Sequence, residues 1–115
     1  MTIKVVVEFE AKPGARAELA GILKGISTTH GPSIPGFLGS VVHEVVDSPD
    51  ALVEIAEWDS AEEQAAAVAQ AMASGLYAPV MELVAAPFRV TRITQLHMPE
   101  WPGVSLSRCL SPVAR

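Results

Sequence analysis

The chain has 115 residues and one cysteine, Cys109, so no disulfide can close within it and no Cys-x-x-Cys metal motif is possible. A reducing cytoplasm is the expected setting. Positive charge is scarce: eight Lys and Arg stand against thirteen Asp and Glu, with a net charge of −5. No basic cluster breaks that balance, which speaks against nucleic acid and acidic membrane as partners. No apolar run approaches the length of a bilayer span. The opening MTIKVVVEFE carries Lys4 and Glu8 inside its first apolar segment, unlike a signal peptide. No three His or carboxylates have metal-ligand spacing on one element. Internal repeats and low-complexity stretches are absent beyond one Ala-rich segment. What remains is half apolar and 18% charged, which is enough to bury one core and too ordered in pattern for a disordered chain.

Residues 3–9 alternate, with Ile3, Val5, Val7 and Phe9 on one side, which predicts a half-buried strand. Lys12-Pro13-Gly14 is a turn. Ala15, Leu19, Ile22, Leu23 and Ile26 then recur on one helical face. Residues 27–36 read as a loop, 37–46 as a second strand, 47–50 as a hairpin turn and 51–58 as a third strand. Ser60 and Glu63 have the spacing of a capping box, so a helix starts directly after Trp58. Its inner face is read as Ala61, Ala65, Val68, Ala69 and Met72. Gly75 ends it. A short helix is expected over 76–84 and a last strand over 87–95. The first 95 residues thus form one domain, and 96–115, with Pro99, Pro102 and Pro112, an irregular tail.

The order β-α-β-β-α-(α)-β fits an α+β, ferredoxin-like antiparallel sheet with its helices on one face. Val42, Val46, Val53 and Ile55 are read onto the uncovered face. A patch of that kind predicts a homodimer, sheet against sheet. The tail carries Leu96, Met98, Trp101, Val104 and Leu106 and is expected to pack on the partner subunit, anchored by Trp101.

Four short motifs, taken in order, resemble one family. They are Lys12-Pro13-Gly14, Ile34-Pro35-Gly36-Phe37, Ser48-Pro49-Asp50 and Glu57-Trp58-Asp59-Ser60-Ala61-Glu62. The chain resembles the antibiotic biosynthesis monooxygenases, and the resemblance spans residues 2–95. It implies a dimeric α/β barrel of two ferredoxin-like subunits. Some members of that family are cofactor-free enzymes that oxidise polyketide phenols and anthrones to quinones. Gly36-Phe37-Leu38, His43 and Trp58 match them. Glu54 stands where they carry an Asn, and Gln64 where they carry an aromatic. Haem-degrading members match less well, with Val7, Ala67 and Tyr77 at their haem-site positions.

The resemblance implies a cofactor-independent monooxygenase acting on a small aromatic molecule with O2 as co-substrate. A non-oxidative cyclase or isomerase and a non-catalytic binding dimer are the alternatives. Glu54 shares strand parity with Trp58, and a buried carboxylate suits a general base; a solvated Glu, or one paired with Arg92, is the competing reading. His43 is either a second base or donor, or a hydrogen-bonded filler. Trp58 either stacks on substrate or covers a core edge. A cavity is expected between the sheet and helices two and three, bounded by Trp58, Ala65, Val68, Met72, Tyr77 and Met81. Arg89 and Arg92 fall on opposite faces of the last strand, so only one can enter it.

Overall fold

The structure, a computed structural model, describes residues 2–96. The four apolar-rich segments form β1 (Ile3–Glu10), β2 (Phe37–Glu44), β3 (Ala51–Trp58) and β4 (Arg89–Ile93). They pair antiparallel in the order β2-β3-β1-β4. Three helices, α1 (Arg16–His30), α2 (Ala61–Ser74) and α3 (Ala78–Leu83), complete the ferredoxin-like order. The sheet is open, with β2 and β4 as its edges. The barrel expected of this fold is therefore not closed by a single chain.

The alternation of β1 and β3 places Ile3, Val5, Phe9, Leu52, Ala56 and Trp58 in the core. Leu19 and Leu23 of α1 and Val80 of α3 close over Phe9 and Leu52 at one end. Each such side chain stabilises the fold by roughly 1.5–3 kcal/mol. Ile3, Val5, Ala56 and Trp58 form a second cluster at the other end, against Phe37, Ile34, Ala61 and Ala67. Glu54 lies on the same stripe of β3, between Leu52 of the first cluster and Ala56 of the second.

The short motifs meet in pairs at opposite ends of the sheet. At one end, Gly14 N–H donates to Asp50 Oδ1 (3.2 Å), Ala11 N–H to the Asp50 carbonyl (2.7 Å) and Arg16 to the Ser48 carbonyl (2.8 Å). At the other, Asp59 N–H donates to the Gly36 carbonyl at 2.8 Å. Gly36 has φ +83°, and a Cβ there would collide with the Glu63 side chain. Ser60 Oγ accepts from Glu63 N–H at 3.1 Å and, as a donor, faces Glu63 Oε1 at 3.4 Å. The expected cap therefore forms, with Glu63 turned to the Ser60 hydroxyl and the Gly36 backbone.

Several expectations are corrected. α1 runs four residues further than its apolar face indicates, to His30, because Ser27 and Thr28 find partners there: Thr28 Oγ1 donates to the Lys24 carbonyl (2.8 Å) and Ser27 pairs with Ser40. β2 ends at Glu44, and Val46 projects from the hairpin loop, 95% exposed. A bulge between Phe37 and Gly39 also shifts the pairing by one residue. Phe37 opposes Trp58, but Ser40, not Gly39, opposes Ala56. Every later side chain of β2 changes face as a result. Val42 therefore packs on the core, and Val41 takes its expected place on the uncovered face. The tail from residue 97 onward lies outside the described residues, and with it the expected placement of Trp101.

Candidate functional site

α1 packs mainly on β2, α3 and the 3₁₀ turn (Gly31–Ser33) that follows it, while α2 packs on β3. Between α2 and the segment that ends and follows α1 lies a cavity of about 520 Å³. His30, Ile34 and Pro35 line one wall; Glu63, Ala67, Gln70 and Ala71 line the other. Ala66, Ala67 and Ala71 give the α2 wall its small residues, with Glu63 and Gln70 at their sides. The cavity is thus between α2 and the segment from His30 to Pro35 at the end of α1, not between the sheet and helices two and three.

That difference follows from the rotation of α2. Gln64 and Ala71 are buried and Ala61 and Ala67 half-buried, so this row faces the sheet. Ala65, Val68 and Met72 are exposed, Met72 at 57%. Seven alanines in residues 61–73 blur the apolar period, while the Ser60 cap and the fit of Glu63 against Gly36 fix the rotation. Met81 is 48% exposed and does not join Tyr77, which packs against the first core cluster.

Glu54 faces the helices, as parity predicts. Its neighbours in register are Val7 and Val42, both apolar. Burial pushes its carboxyl above the ordinary glutamate range, and a hydrogen bond from Ser40 opposes that rise. Tyr77 reaches the same spot from the α2–α3 junction. Its phenol is pushed up by burial first and by the Glu54 charge second. Ser27 Oγ stands 2.7 Å from Ser40 Oγ. One helical turn past Ser27, His30 lines the cavity; next to Tyr77, so does Leu76. The cluster of Glu54, Ser40, Ser27 and Tyr77 thus adjoins the cavity at two places without forming its wall.

The other expected residues are placed elsewhere. Trp58 is 7% exposed, with its ring edge-on to Phe37 at 5.1 Å, and covers the second core cluster. It lies four residues from Glu54, about 13 Å along a strand. His43 opposes Val53 on the uncovered face, its Nδ1 3.3 Å from the Val53 carbonyl. Without the bulge in β2 it would face the helices beside Glu54. Arg92 opposes Val5 on the helix side but is exposed, and Arg89 opposes Glu8 on the other face. The single ion pair among the described residues is Arg16 with Glu44, at 3.4 Å. Among the same residues, no three His, Cys, Asp or Glu come together as metal ligands.

Sequence reasoning did not single out Ser27, Ser40 or the cavity lining. A signal for Ser27 exists: it follows Leu19 and Leu23 at intervals of eight and four, on the buried stripe of α1. Ser40 has no such signal, because its facing depends on the bulge.

The sequence profile of the antibiotic biosynthesis monooxygenase family matches residues 2–75. Comparison with curated proteins finds no match. Among solved structures, a candidate antibiotic biosynthesis monooxygenase of Chloroflexus aurantiacus is 27% identical. It covers 85% of this chain and 98% of its own, with a TM-score of 0.65. A second, from Bordetella bronchiseptica, is 16% identical over 84% of this chain and 98% of its own, with a TM-score of 0.73. SnoaB of Streptomyces nogalater, a cofactor-independent oxygenase, is 21% identical over 86% of this chain and 98% of its own, with a TM-score of 0.70.

Proposed function

Since the chain belongs to the antibiotic biosynthesis monooxygenase family, we propose that it is a cofactor-independent monooxygenase that oxidises an aromatic, polyketide-like phenol or anthrone to a quinone. The observation that carries this reading is Glu54: a carboxyl set between two apolar clusters and raised in pKa by burial, beside Tyr77, whose chain neighbour Leu76 lines a ligand-sized cavity. A base of that kind is matched to an acidic C–H or phenol near neutral pH. The likeness in fold to a cofactor-independent oxygenase supports the same chemistry.

In this mechanism the substrate supplies the electrons. Glu54 takes the benzylic proton of an anthrone, and the carbanion passes one electron to O2. Superoxide and the substrate radical combine to a peroxide, which is protonated. Loss of the second benzylic proton with cleavage of the O–O bond releases water and leaves the quinone. Tyr77 donates to the oxygen on which the enolate charge collects, and the low-polarity surroundings strengthen that hydrogen bond. With His43 on the opposite face of the sheet, the base is assigned to Glu54 alone. Trp58 and Arg92 serve the site indirectly, Trp58 by anchoring the β3–α2 corner and Arg92 as a charge at the open edge.

The working unit is a homodimer. Val41, Val53, Ile55, Val6 and Ile93 lie on the uncovered face, and a second subunit laid against it completes the barrel. The apolar tail, which lies outside the described residues, is proposed to lie on that partner.

Oxygen uptake with an anthrone tests the proposal. Uptake that is lost in Glu54→Gln supports it. Proton exchange at the same carbon without any oxygen consumption in air favours the cyclase or isomerase reading instead.

A further inference from the structure

We propose that Ser40 and Ser27 are positioning residues for Glu54, forming a two-hydroxyl chain that holds its carboxyl and leads its proton out to solvent at the half-exposed Ser27 of α1. The inference rests on the reading of Glu54 as the base.

Three observations carry it. Ser40 opposes Ala56, which makes it a diagonal neighbour of Glu54 on the same face, within side-chain reach. Its hydroxyl meets Ser27 Oγ at 2.7 Å on one side, and on the other it is the group that draws the Glu54 carboxyl down against the rise from burial. Ser27 lies in α1, where a serine usually returns its hydroxyl to the carbonyl four residues back. Its neighbour Thr28 does that, to Lys24, whereas Ser27 directs its hydroxyl across to the sheet. One turn on, His30 lines the cavity.

The chain has two polarities. With Glu54 ionised, Ser40 O–H donates to the carboxylate and Ser27 O–H donates to Ser40. With Glu54 protonated after taking a substrate proton, that proton passes to Ser40 Oγ, the Ser40 proton passes to Ser27 Oγ and the Ser27 proton leaves to solvent, which the half-exposed Ser27 reaches. Each hydroxyl keeps one proton, and one proton has moved from base to solvent. Rotation of the two hydroxyls resets the chain.

The groups around Glu54 leave few competing charges. In its sheet row stand Val7 and Val42, α1 contributes Leu23 and Ser27, and the buried row of α2 is Gln64, Ala67 and Ala71. Tyr77, at the start of α3, is the titratable neighbour. Arg92 of β4 shares the face but is exposed and makes no ion pair among the described residues.

The test is a carbon-13 titration of the Glu54 carboxyl in the full chain, assigned by its loss in Glu54→Gln. The Glu54 midpoint should rise in Ser40→Ala and recover in Ser40→Thr. It should rise less in Ser27→Ala, and Ser27→Ala should add nothing in a Ser40→Ala background, since its effect passes through Ser40. Amide spectra of each variant confirm the fold. A midpoint that stays put in folded Ser40→Ala, or a Ser27→Ala effect that persists without Ser40, overturns the chain. With an anthrone in anaerobic heavy water, Ser27→Ala should slow C–H exchange about tenfold and Glu54→Gln by at least a hundredfold. Exchange at the wild-type rate in Ser27→Ala overturns proton transfer along the chain. Titrations as expected with no exchange or oxidation in the wild type would remove the base reading and leave the hydroxyl chain standing.

Discussion

Glu54 shows how a single residue couples stability to chemistry. Its carboxyl titrates above the ordinary range in the folded state because burial disfavours the anion. The folded protein therefore holds that proton more tightly than the unfolded chain does. As pH rises from the ordinary glutamate range through the raised folded value, ionisation of Glu54 costs stability. Glu54→Gln should accordingly melt higher than wild type at neutral pH, and the difference should shrink to nothing below the glutamate range. Thermal unfolding at a series of pH values measures this. The same variant removes the charge that helps raise Tyr77, so Tyr77 should titrate closer to a free tyrosine. Tyr77 is the chain's one tyrosine, which makes an ultraviolet titration unambiguous. The inward facing of Glu54 was legible from strand parity alone. The separation of His43 from it was not, since one inserted residue in β2 reverses the alternation.

Among the elements, α2 is the one whose ends and rotation matter most. Ser60→Ala removes the cap on Glu63 N–H and should cost about 1 kcal/mol. Gly36→Ala should cost more. It forces a Cβ into the left-handed region, worth about 1–2 kcal/mol, and drives it into Glu63. Urea midpoints of the two variants rank them. The rotation of α2 has a second consequence. Ala66 lines the cavity and is exposed, so Ala66→Phe should block an aromatic ligand while leaving the melting temperature nearly unchanged. Ala65→Phe points to solvent from the other flank and should leave both unchanged. Ligand titration by calorimetry, with melting curves, checks the pair. A helix with seven alanines in residues 61–73 carries too little contrast in size to reveal this orientation in the sequence.

At the scale of the whole molecule, the proposed dimer makes two predictions. Val41 is 59% exposed on the uncovered face, in the edge strand β2. Val41→Lys would bury an unpaired charge between two sheets, which proteins tolerate poorly. Sedimentation at micromolar concentration should show a dimer for wild type and a folded monomer for the variant. A chain ending at Gln95 should dimerise more weakly and melt lower, because it lacks the apolar tail proposed to lie on the partner. Unchanged affinity and melting temperature would remove the tail from the interface.

By itself the sequence determined what depends on neighbours along the chain. Alternation set β1 and β3, the Ser60–Glu63 spacing set the start of α2, and glycines and prolines marked the turns. From these came the element order, the ferredoxin-like topology and the inward facing of Glu54. The tertiary structure decided what depends on contacts between distant segments. The bulge at Gly39 placed Ser40 beside Glu54 and turned His43 away. The docking of Glu63 on Gly36 set the rotation of α2, and hence which alanines border the cavity. Those outcomes come from one residue's shift in register and a fraction of a helical turn. Local propensity differs by little between such alternatives, and the packing of the assembled chain separates them.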